Sequence, residues 1–332
     1  MRYFPQRLLV LASLLLAADA AAAATGIFFD DFHYADTAAL AAGGWKIRDQ
    51  QGHPGIERGQ WGPGTISLVD DPQAGGQRLL RLNASTDGRP EGTFQAQLCH
   101  QRKYFEGTYA ARIRFSDAPV TGPGGDLVVE SFYTSSPLKH DFDPQYSELD
   151  WEYLPNGGWG NPHSRLYSVS WQTVQMEPWN AFNQVHEEQR ALGGWHTVLM
   201  QVGGGKIRYF LDGVQLDEHG GRNYPAQPMS INFNLWFSPS GVLPDTRVER
   251  RYEQDLAWVM HAKDQLLSPA QVDAAVGLTV VPAYIMWIRW QPWSRRCRPT
   301  AIFKIREIRD ETDAVTDAAC SAVACRGHGG AL

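Results

Sequence analysis

The sequence lacks the features of several large protein classes. It has no long run of Lys or Arg that would suit phosphate contacts, and its 30 basic and 36 acidic residues give a net charge of −6, so nucleic acid is not an expected partner. Beyond the N-terminus no segment reaches the ~18 apolar residues of a membrane-spanning helix. With 43% hydrophobic and 20% charged residues, the 332-residue chain has the composition of a folded protein.

The first 24 residues have the features of a signal peptide. Arg2 and Arg7 precede an apolar run from Leu8 to Ala18, which is followed by Asp19 and an alanine tract. This run is too short to cross a ~30 Å hydrocarbon core as a helix. The sequence therefore predicts export, with a secreted or periplasmic protein as the product. An uncleaved N-terminal anchor is the alternative.

Cysteine is scarce. Cys99, Cys297, Cys320 and Cys325 permit up to two disulfides in an exported chain, and all three connectivities remain open. Their spacing contains no paired C-x-x-C units, so a structural zinc site is not expected.

Residues 26–293 read as an all-β domain. Short segments with period-2 alternation are separated by Gly, Pro, Asn and Asp, which is typical of a β-sandwich or barrel. Residues 107–116 and 228–238 are the clearest strands, each with an apolar core face and a polar face towards water. Residues 206–216, with an Asp-Gly pair inside them, predict a hairpin.

One segment departs from the β pattern. Ser268, Pro269 and Gln271 form a capping box with Pro at the first helical position, and Gly277 follows as a stop signal. A short helix is therefore expected there, with a second one over 252–267, as an insertion before a last strand at 284–290. The expected organisation is a signal peptide (1–24), one domain (25–293) and a C-terminal extension of low order (294–332).

The segment 146–154 carries three carboxylates at alternate positions. On a strand, Glu148, Asp150 and Glu152 point from one face, while Leu149 and Trp151 point from the other. Neighbouring like charges repel and raise one another's pKa, and glycoside hydrolysis needs one ionised and one protonated carboxyl group. A straight strand would separate the outer Cα atoms by ~13 Å, so a retaining site, whose carboxyl groups are ~5.5 Å apart, requires curvature.

The E-x-D-x-E motif resembles the hallmark of glycoside hydrolase family 16, and further segments in the same order support the resemblance. These are GTYAAR at 107–112, WHT at 195–197, YFLDG at 209–213 and NLW at 234–236. The resemblance implies a concanavalin A-like β-jelly-roll sandwich. It also implies Glu148 as nucleophile, Glu152 as general acid/base and Asp150 as the assisting carboxylate of a retaining, double-displacement mechanism.

Strand parity combined with the resemblance suggests substrate contacts. Tyr146 shares a face with Glu148 and resembles an aromatic platform beside the nucleophile. Asn234 and Trp236 share the polar face of their strand.

Ser170 and Gln172 are expected to line the groove, which leaves Trp171 in the core. Tyr133 and Arg112 are further candidates, with a solvated strand charge as the alternative for Arg112. Trp159, in a glycine-rich loop, is assigned to the rim of the cleft.

The uninterrupted motif is similar to that of licheninases and transglycosylases rather than laminarinases, agarases and carrageenases, whose motif carries a bulge residue. The implied function is a monomeric, secreted endo-glycosidase acting on β-1,3-1,4- or β-1,3-glucan, with a polysaccharide as its partner and no membrane. A transglycosylase of the same fold and a non-catalytic carbohydrate-binding sandwich are the alternatives. No cofactor is required; a structural calcium ion is left open, although Asp30 and Asp31 alone form no ligand set.

Overall fold

The computed structural model of the chain describes residues 26–71, 77–242 and 245–280. The expected signal peptide, the expected last strand at 284–290, the C-terminal extension and Cys297, Cys320 and Cys325 all lie outside these ranges. The interpretations that concern them, and the domain boundaries they define, stay predictions.

The described residues form sixteen strands and two α-helices. The strands are β1 (Ile27–Asp30), β2 (Trp45–Ile47), β3 (Gln60–Trp61), β4 (Ile66–Asp70), β5 (Arg78–Thr86), β6 (Phe94–His100), β7 (Gly107–Phe115), β8 (Val128–Ser135), β9 (Glu148–Leu154), β10 (Arg165–Gln175), β11 (Asn180–Gln189), β12 (Gly194–Gly203), β13 (Lys206–Leu211), β14 (Val214–Gly220), β15 (Ser230–Phe237) and β16 (Arg250–Lys263). The helices are α1 (Thr37–Ala42) and α2 (Pro269–Val280).

The strands form two sheets that are almost entirely antiparallel. The first sheet has the order β11-β10-β9-β8-β15-β6, with β2 beside β6. The second has the order β14-β13-β12-β7-β16-β5-β4, and β1 also pairs with β16. A pairing of Ser85 with Phe94 joins β5 to β6, and β3 pairs in parallel with β6. The predicted all-β jelly-roll sandwich is confirmed.

The main hydrophobic core lies between the two sheets. Leu149 and Trp151 of β9, Phe233 and Leu235 of β15 and Tyr109 of β7 all belong to it and are almost completely buried. Because side chains alternate along a strand, residues of the opposite parity in the first sheet lie on its other side. A second cluster of buried apolar residues lies on that side, so both faces of the first sheet carry buried apolar side chains.

The strands predicted at 107–116 and 228–238 and the hairpin at 206–216 are confirmed as β7, β15 and the β13–β14 pair. The expectation that the polar face of β15 meets water is wrong, because every residue of this strand is buried. Its polar residues are enclosed among neighbouring side chains instead of being solvated.

The helix predicted over 252–267 is wrong, because these residues belong mostly to β16. Apolar side chains of β16 enter the core on one face, as Tyr252 and Val259 do, and a separate cluster on the other, as Trp258 and Met260 do. A bulge between Leu256 and Trp258 interrupts the pairing with β7. A strand buried on both faces has no period-2 pattern, and its apolar residues therefore imitated helical spacing.

The helix predicted from the capping box is confirmed as α2. Ser268 N donates to Gln271 Oε1 at 2.8 Å, and Gln271 N donates to Ser268 Oγ at 3.3 Å. The helix continues past Gly277, where an end was expected, and it follows the last described strand. Neither helix in the described part of the chain has the length and apolar character needed to span a membrane.

Candidate active site

Glu148, Asp150 and Glu152 project from β9 on the side of the first sheet that faces away from the sandwich core; we call this side the carboxylate face. Their neighbours Leu149 and Trp151 enter the core, as the alternation predicts. Each of the three acidic residues is 3% exposed or less. Burial in a low dielectric medium disfavours the charged form of a carboxyl group, so the hydrogen bonds of each group decide which one carries a charge.

The nucleophile candidate receives hydrogen bonds. The Tyr146 hydroxyl donates to Glu148 Oε2, and the side chains of Glu148 and Asp150 share a hydrogen bond. A bond between two carboxyl groups requires a proton on one of them. Hydrogen bonds donated to a carboxylate stabilise its charged form, and Tyr146 is one such donor at Glu148.

Asp150 is a carboxyl group whose pKa is raised. Burial raises the pKa of Asp150 well above its ordinary value, and the charges of Glu148 and Glu152 raise it further. Trp171 Nε1 donates to Asp150 Oδ2 at 2.6 Å and acts in the opposite direction, but more weakly. In its protonated form, which the raised pKa favours, Asp150 donates to Glu148. Since both glutamates act electrostatically on Asp150, the three carboxyl groups form one cluster.

Tyr133 lies on the carboxylate face, in register with Asp150. Its hydroxyl accepts a hydrogen bond from Gln97 Nε2 and donates to Asn234 Oδ1 at 3.4 Å. Burial raises the pKa of Tyr133 well above its ordinary value, and the charge of Glu148 adds to this. The structure thus places the predicted residues Tyr133 and Asn234 together, and the hydroxyl stays neutral.

The sequence interpretation missed Gln97 and Arg48. Arg48 Nη1 donates to Gln97 Oε1 at 3.0 Å, and the guanidinium lies 3.9 Å from the centroid of the Trp61 ring. Burial lowers the pKa of Arg48 to about 10. The alternation of polar and apolar residues along β6 was the available signal for Gln97, whereas nothing in the sequence linked Arg48 to this strand.

Tyr146 and Trp236 lie in the apolar cluster on the carboxylate face, together with Trp171. Both are 2% exposed, so neither is an open platform in this structure. The contact of Tyr146 that bears on chemistry is its hydroxyl, bonded to Glu148.

The predicted faces of β10 are reversed. Register with β9 places Trp171 beside Glu148 and Tyr167 beside Glu152. Ser170 lies on the core side, where its hydroxyl bonds with the Tyr209 hydroxyl and His219 Nδ1, both at 2.8 Å. Hydrophobicity misassigned the faces because the carboxylate face is itself aromatic.

Gln172 is half-buried at the bulge that interrupts the pairing of β10 with β11. This bulge displaces it from the regular alternation, so parity does not assign it to the groove.

Arg112 does not join the carboxylates. It lies on β7 in the second sheet, where its neighbours Ala111 and Ile113 enter the core, so Arg112 points to the outer side. There its Nη1 donates to Thr197 Oγ1 at 3.1 Å. Of the two interpretations of Arg112, a substrate contact or a solvated strand charge, the structure supports the strand charge.

Trp159 lies in the loop between β9 and β10 and packs against the cluster of the carboxylate face, with its ring centroid 5.1 Å from that of Tyr167. Within the described ranges, no group of three or more His, Cys, Asp or Glu side chains is arranged to hold a metal ion. Asp30 instead accepts hydrogen bonds from the Tyr34 hydroxyl and from Trp45 Nε1.

Solved structures share this fold. The chain is similar to a β-glucanase from Bacillus licheniformis, with 17% identity over 72% of this chain and 99% of that chain and a TM-score of 0.51. It is also similar to a glycoside hydrolase family 16 endo-glucanase from Bacteroides ovatus in complex with G4G3G-2F-DNP (14% identity, 70% and 98% coverage, TM-score 0.54). A laminarinase from Flavobacterium sp. UMI-01 gives 14% identity, 71% and 99% coverage and a TM-score of 0.50.

No family model and no curated protein sequence matches the chain. The likeness therefore concerns the fold, which is the β-jelly roll of glycoside hydrolase family 16.

Proposed function

We propose that the protein is a secreted, retaining endo-glycosidase that hydrolyses β-linked glucan by double displacement. The observation that carries the proposal is the unequal environment of three carboxyl groups in one cluster. Glu148 receives a hydrogen bond from Tyr146 and shares one with Asp150, while burial and the neighbouring charges raise the pKa of Asp150. Glycoside hydrolysis uses an ionised nucleophile and a protonated general acid. In this row Glu148 has the donors that suit the nucleophile, and Glu152, the remaining carboxyl group, is the proposed acid.

In the proposed reaction, Glu148 attacks the anomeric carbon while Glu152 gives a proton to the departing oxygen. The bond to the leaving sugar breaks and a covalent glycosyl-enzyme forms on Glu148. Glu152 then removes a proton from a water molecule that attacks the same carbon, and Glu148 leaves as a carboxylate. Asp150 stabilises that carboxylate through its donated hydrogen bond, which matters most when Glu148 is charged.

The substrate class rests on the motif and the fold. The chain has the uninterrupted E-x-D-x-E spacing on a regular strand, paired with β8 and β10 without a bulge across the motif. The solved structures with this fold include a β-glucanase and an endo-glucanase. Mixed-linkage β-1,3-1,4-glucan is therefore the leading substrate, followed by β-1,3-glucan. Because the carboxylates are buried, the polysaccharide must displace the side chains that cover them.

The experiment is a time course of new reducing ends on mixed-linkage glucan, linear β-1,3-glucan, agarose and carrageenan, with product sizes analysed at each point. We expect turnover of a glucan, with oligosaccharides of intermediate length appearing first. Glu148→Gln, which preserves the size of the side chain, is the matched control and should be inactive. If the enzyme transfers glycosyl groups to sugar acceptors and forms no new reducing ends, the proposed reaction becomes transglycosylation instead of hydrolysis. Turnover of a sulfated galactan alone, or equal activity in the control, would overturn the proposal.

A further inference from the structure

The loop after β9 contains a tight turn with an unusual residue. Gly158 N donates to Asn161 O at 2.7 Å, and Asn161 N donates to Gly158 O at 2.9 Å. The two residues between them, Trp159 and Gly160, have φ values of 51° and 90°. Positive φ at both central positions is the mark of a type I′ turn, which favours Asn, Asp or Gly at the first position.

Two other turns of the same kind occur among the described residues. Gly204 and Gly205, between β12 and β13, have φ values of 62° and 74°, and Asp212 and Gly213, between β13 and β14, have 48° and 83°. Both turns use the favoured residues. A bulky side chain at positive φ is strained, and such strain persists where function requires the geometry. Turn formation alone therefore does not account for Trp159.

Trp159 lines a surface cavity of about 590 Å³ together with Leu127, Asn161, Pro162 and Ser240. This volume is within the usual range of small-molecule sites. The lining combines an aromatic ring with an amide and a hydroxyl group. A sugar ring has an apolar face that packs on an aromatic ring and hydroxyl groups that bond with polar neighbours.

The loop that carries Trp159 is held in place. Asn161 Nδ2 donates to the Tyr167 hydroxyl and to Glu187 Oε2, both at 3.1 Å. A side chain at Gly157 would collide with Asn161 O, since its Cβ would lie 2.3 Å away. The position of the indole is therefore fixed before any ligand binds.

The cavity lies beyond one end of the carboxylate row. Tyr167, which packs against Trp159, is in register with Glu152, and a Cβ on Gly158 would touch Leu154, two residues further along β9. The two catalytic carboxylates flank the scissile bond, so a glucan chain crosses β9 between Glu148 and Glu152. A sugar in the cavity consequently projects sideways from that chain.

We propose that the cavity beside Trp159 binds a single glycosyl branch of the glucan, stacked on the indole, and that among β-1,3-glucans it gives the enzyme a preference for a branched over a linear chain. This inference rests on the proposed function. It assigns Trp159 as a specificity-determining residue rather than a catalytic one.

The test variant is Trp159→Asn, which supplies the residue that the turn favours and removes the ring. Asn relieves the strain of the turn but loses the packing of the ring on Tyr167, so the melting temperature of the variant is measured and activities are compared at a temperature where both proteins are folded. Gly204→Asn is the matched control, because it introduces Asn into the first position of the same kind of turn, where a new Cβ meets no atom within 4 Å.

Activity is measured on a β-1,3-glucan with single β-1,6-linked glucose branches and on the linear β-1,3-glucan. We expect Trp159→Asn to lower kcat/KM on the branched glucan about tenfold or more, to leave the linear glucan within about twofold, and Gly204→Asn to change neither. Equal losses on both glucans, or no loss on either, would overturn the proposal.

Affinity electrophoresis in gels containing each glucan measures binding without turnover. Stronger retardation of the wild type by the branched glucan, lost in Trp159→Asn, supports the branch site even if no glucan is hydrolysed, in which case the proposed function alone fails. Equal retardation of the wild type and the variant in both gels overturns the branch site.

Discussion

Trp171 Nε1 donates a hydrogen bond to Asp150 Oδ2 at 2.6 Å. The hydrophobicity of Trp171 had assigned it to the core. The bond instead connects it to Asp150, the central acid of the carboxylate row. It fixes the orientation of Asp150 in a buried site, where a carboxyl group without partners would be costly. An aromatic side chain therefore positions a catalytic candidate through its nitrogen as well as through its ring.

Asp150→Asn should be a mild change, because a neutral amide can replace the protonated carboxyl group as a donor to Glu148. The raised pKa of Asp150 means that it loses its proton, and begins to repel Glu148, as pH rises through that pKa. The wild type should therefore lose activity on the alkaline side, and the variant should lose less. The measurement is the pH profile of kcat/KM on an aryl glycoside whose departure needs no proton from Glu152. An unchanged alkaline limb would contradict this role.

Glu148→Ala should abolish hydrolysis, because no covalent glycosyl-enzyme forms without the nucleophile. Azide added with an activated β-glycoside should restore turnover by entering the space left by the carboxylate. The product should then have the α configuration, which NMR determines directly. A β-configured azide product, or no dependence on azide, would argue against Glu148 as the nucleophile.

Glu152→Ala should separate substrates by their leaving groups. Activated aryl glycosides, which need no proton to depart, should still form the glycosyl-enzyme, whereas polysaccharide hydrolysis should fall by several orders of magnitude. A burst of released phenol followed by a slow phase would show that the second step is limiting. Equal losses on both kinds of substrate would remove Glu152 from the acid/base role.

Tyr146→Phe deletes the hydroxyl that donates to Glu148 while keeping the ring in its cluster. Hydrogen bonds to charged groups contribute about 1.5–3 kcal/mol, so kcat/KM should fall about 10- to 100-fold. The acid limb of the pH profile should move to higher pH, because ionised Glu148 loses a donor. A raised KM with an unchanged kcat and pH profile would indicate that Tyr146 acts by stacking on the substrate and not through its hydroxyl.

Stability should fall in acid because of two buried histidines. Burial lowers the pKa of His100 and of His261 from 6.5 to about 4. The unfolded chain therefore binds more protons between these values, so stability that is present above pH 6.5 is lost as pH falls towards 4, by an amount on the order of 3 kcal/mol for each histidine. In urea unfolding, His261→Phe should show a smaller loss between pH 7 and pH 4 than the wild type. If the free energies of unfolding of the two proteins differ by the same amount at pH 7 and pH 4, the buried histidine is not the cause of the acid destabilisation.

Several elements of the site could be read from the sequence because they depend on local geometry. The alternation of side chains along a strand places Glu148, Asp150 and Glu152 on one face whatever surrounds that strand. The capping pair of Ser268 and Gln271 is likewise local, and α2 begins where it predicts.

The sequence-based predictions that were wrong all concern what a strand face packs against. Strand alternation correctly placed Ser170 and Trp171 on opposite faces of β10. It could not say which of the two faces the second sheet, because both faces of the first sheet carry buried apolar side chains. For the same reason β16, buried on both sides, gave no alternating pattern. Arg112 has the parity of an outward-facing residue, but only sheet order shows that its strand lies in the other sheet.

By itself, the sequence determined the β class of the domain, the row of three carboxylates and their shared face, since period and spacing act within one strand. Only the tertiary structure decided the division of environments among the three carboxyl groups, which raises the pKa of Asp150. That division depends on burial and on the hydrogen bonds donated by Trp171 and Tyr146. It also depends on Tyr133, whose hydroxyl is held by Gln97 of β6. Several of these groups are remote in the chain and come together only when the sheet assembles, and electrostatic energies in a buried site depend on such contacts.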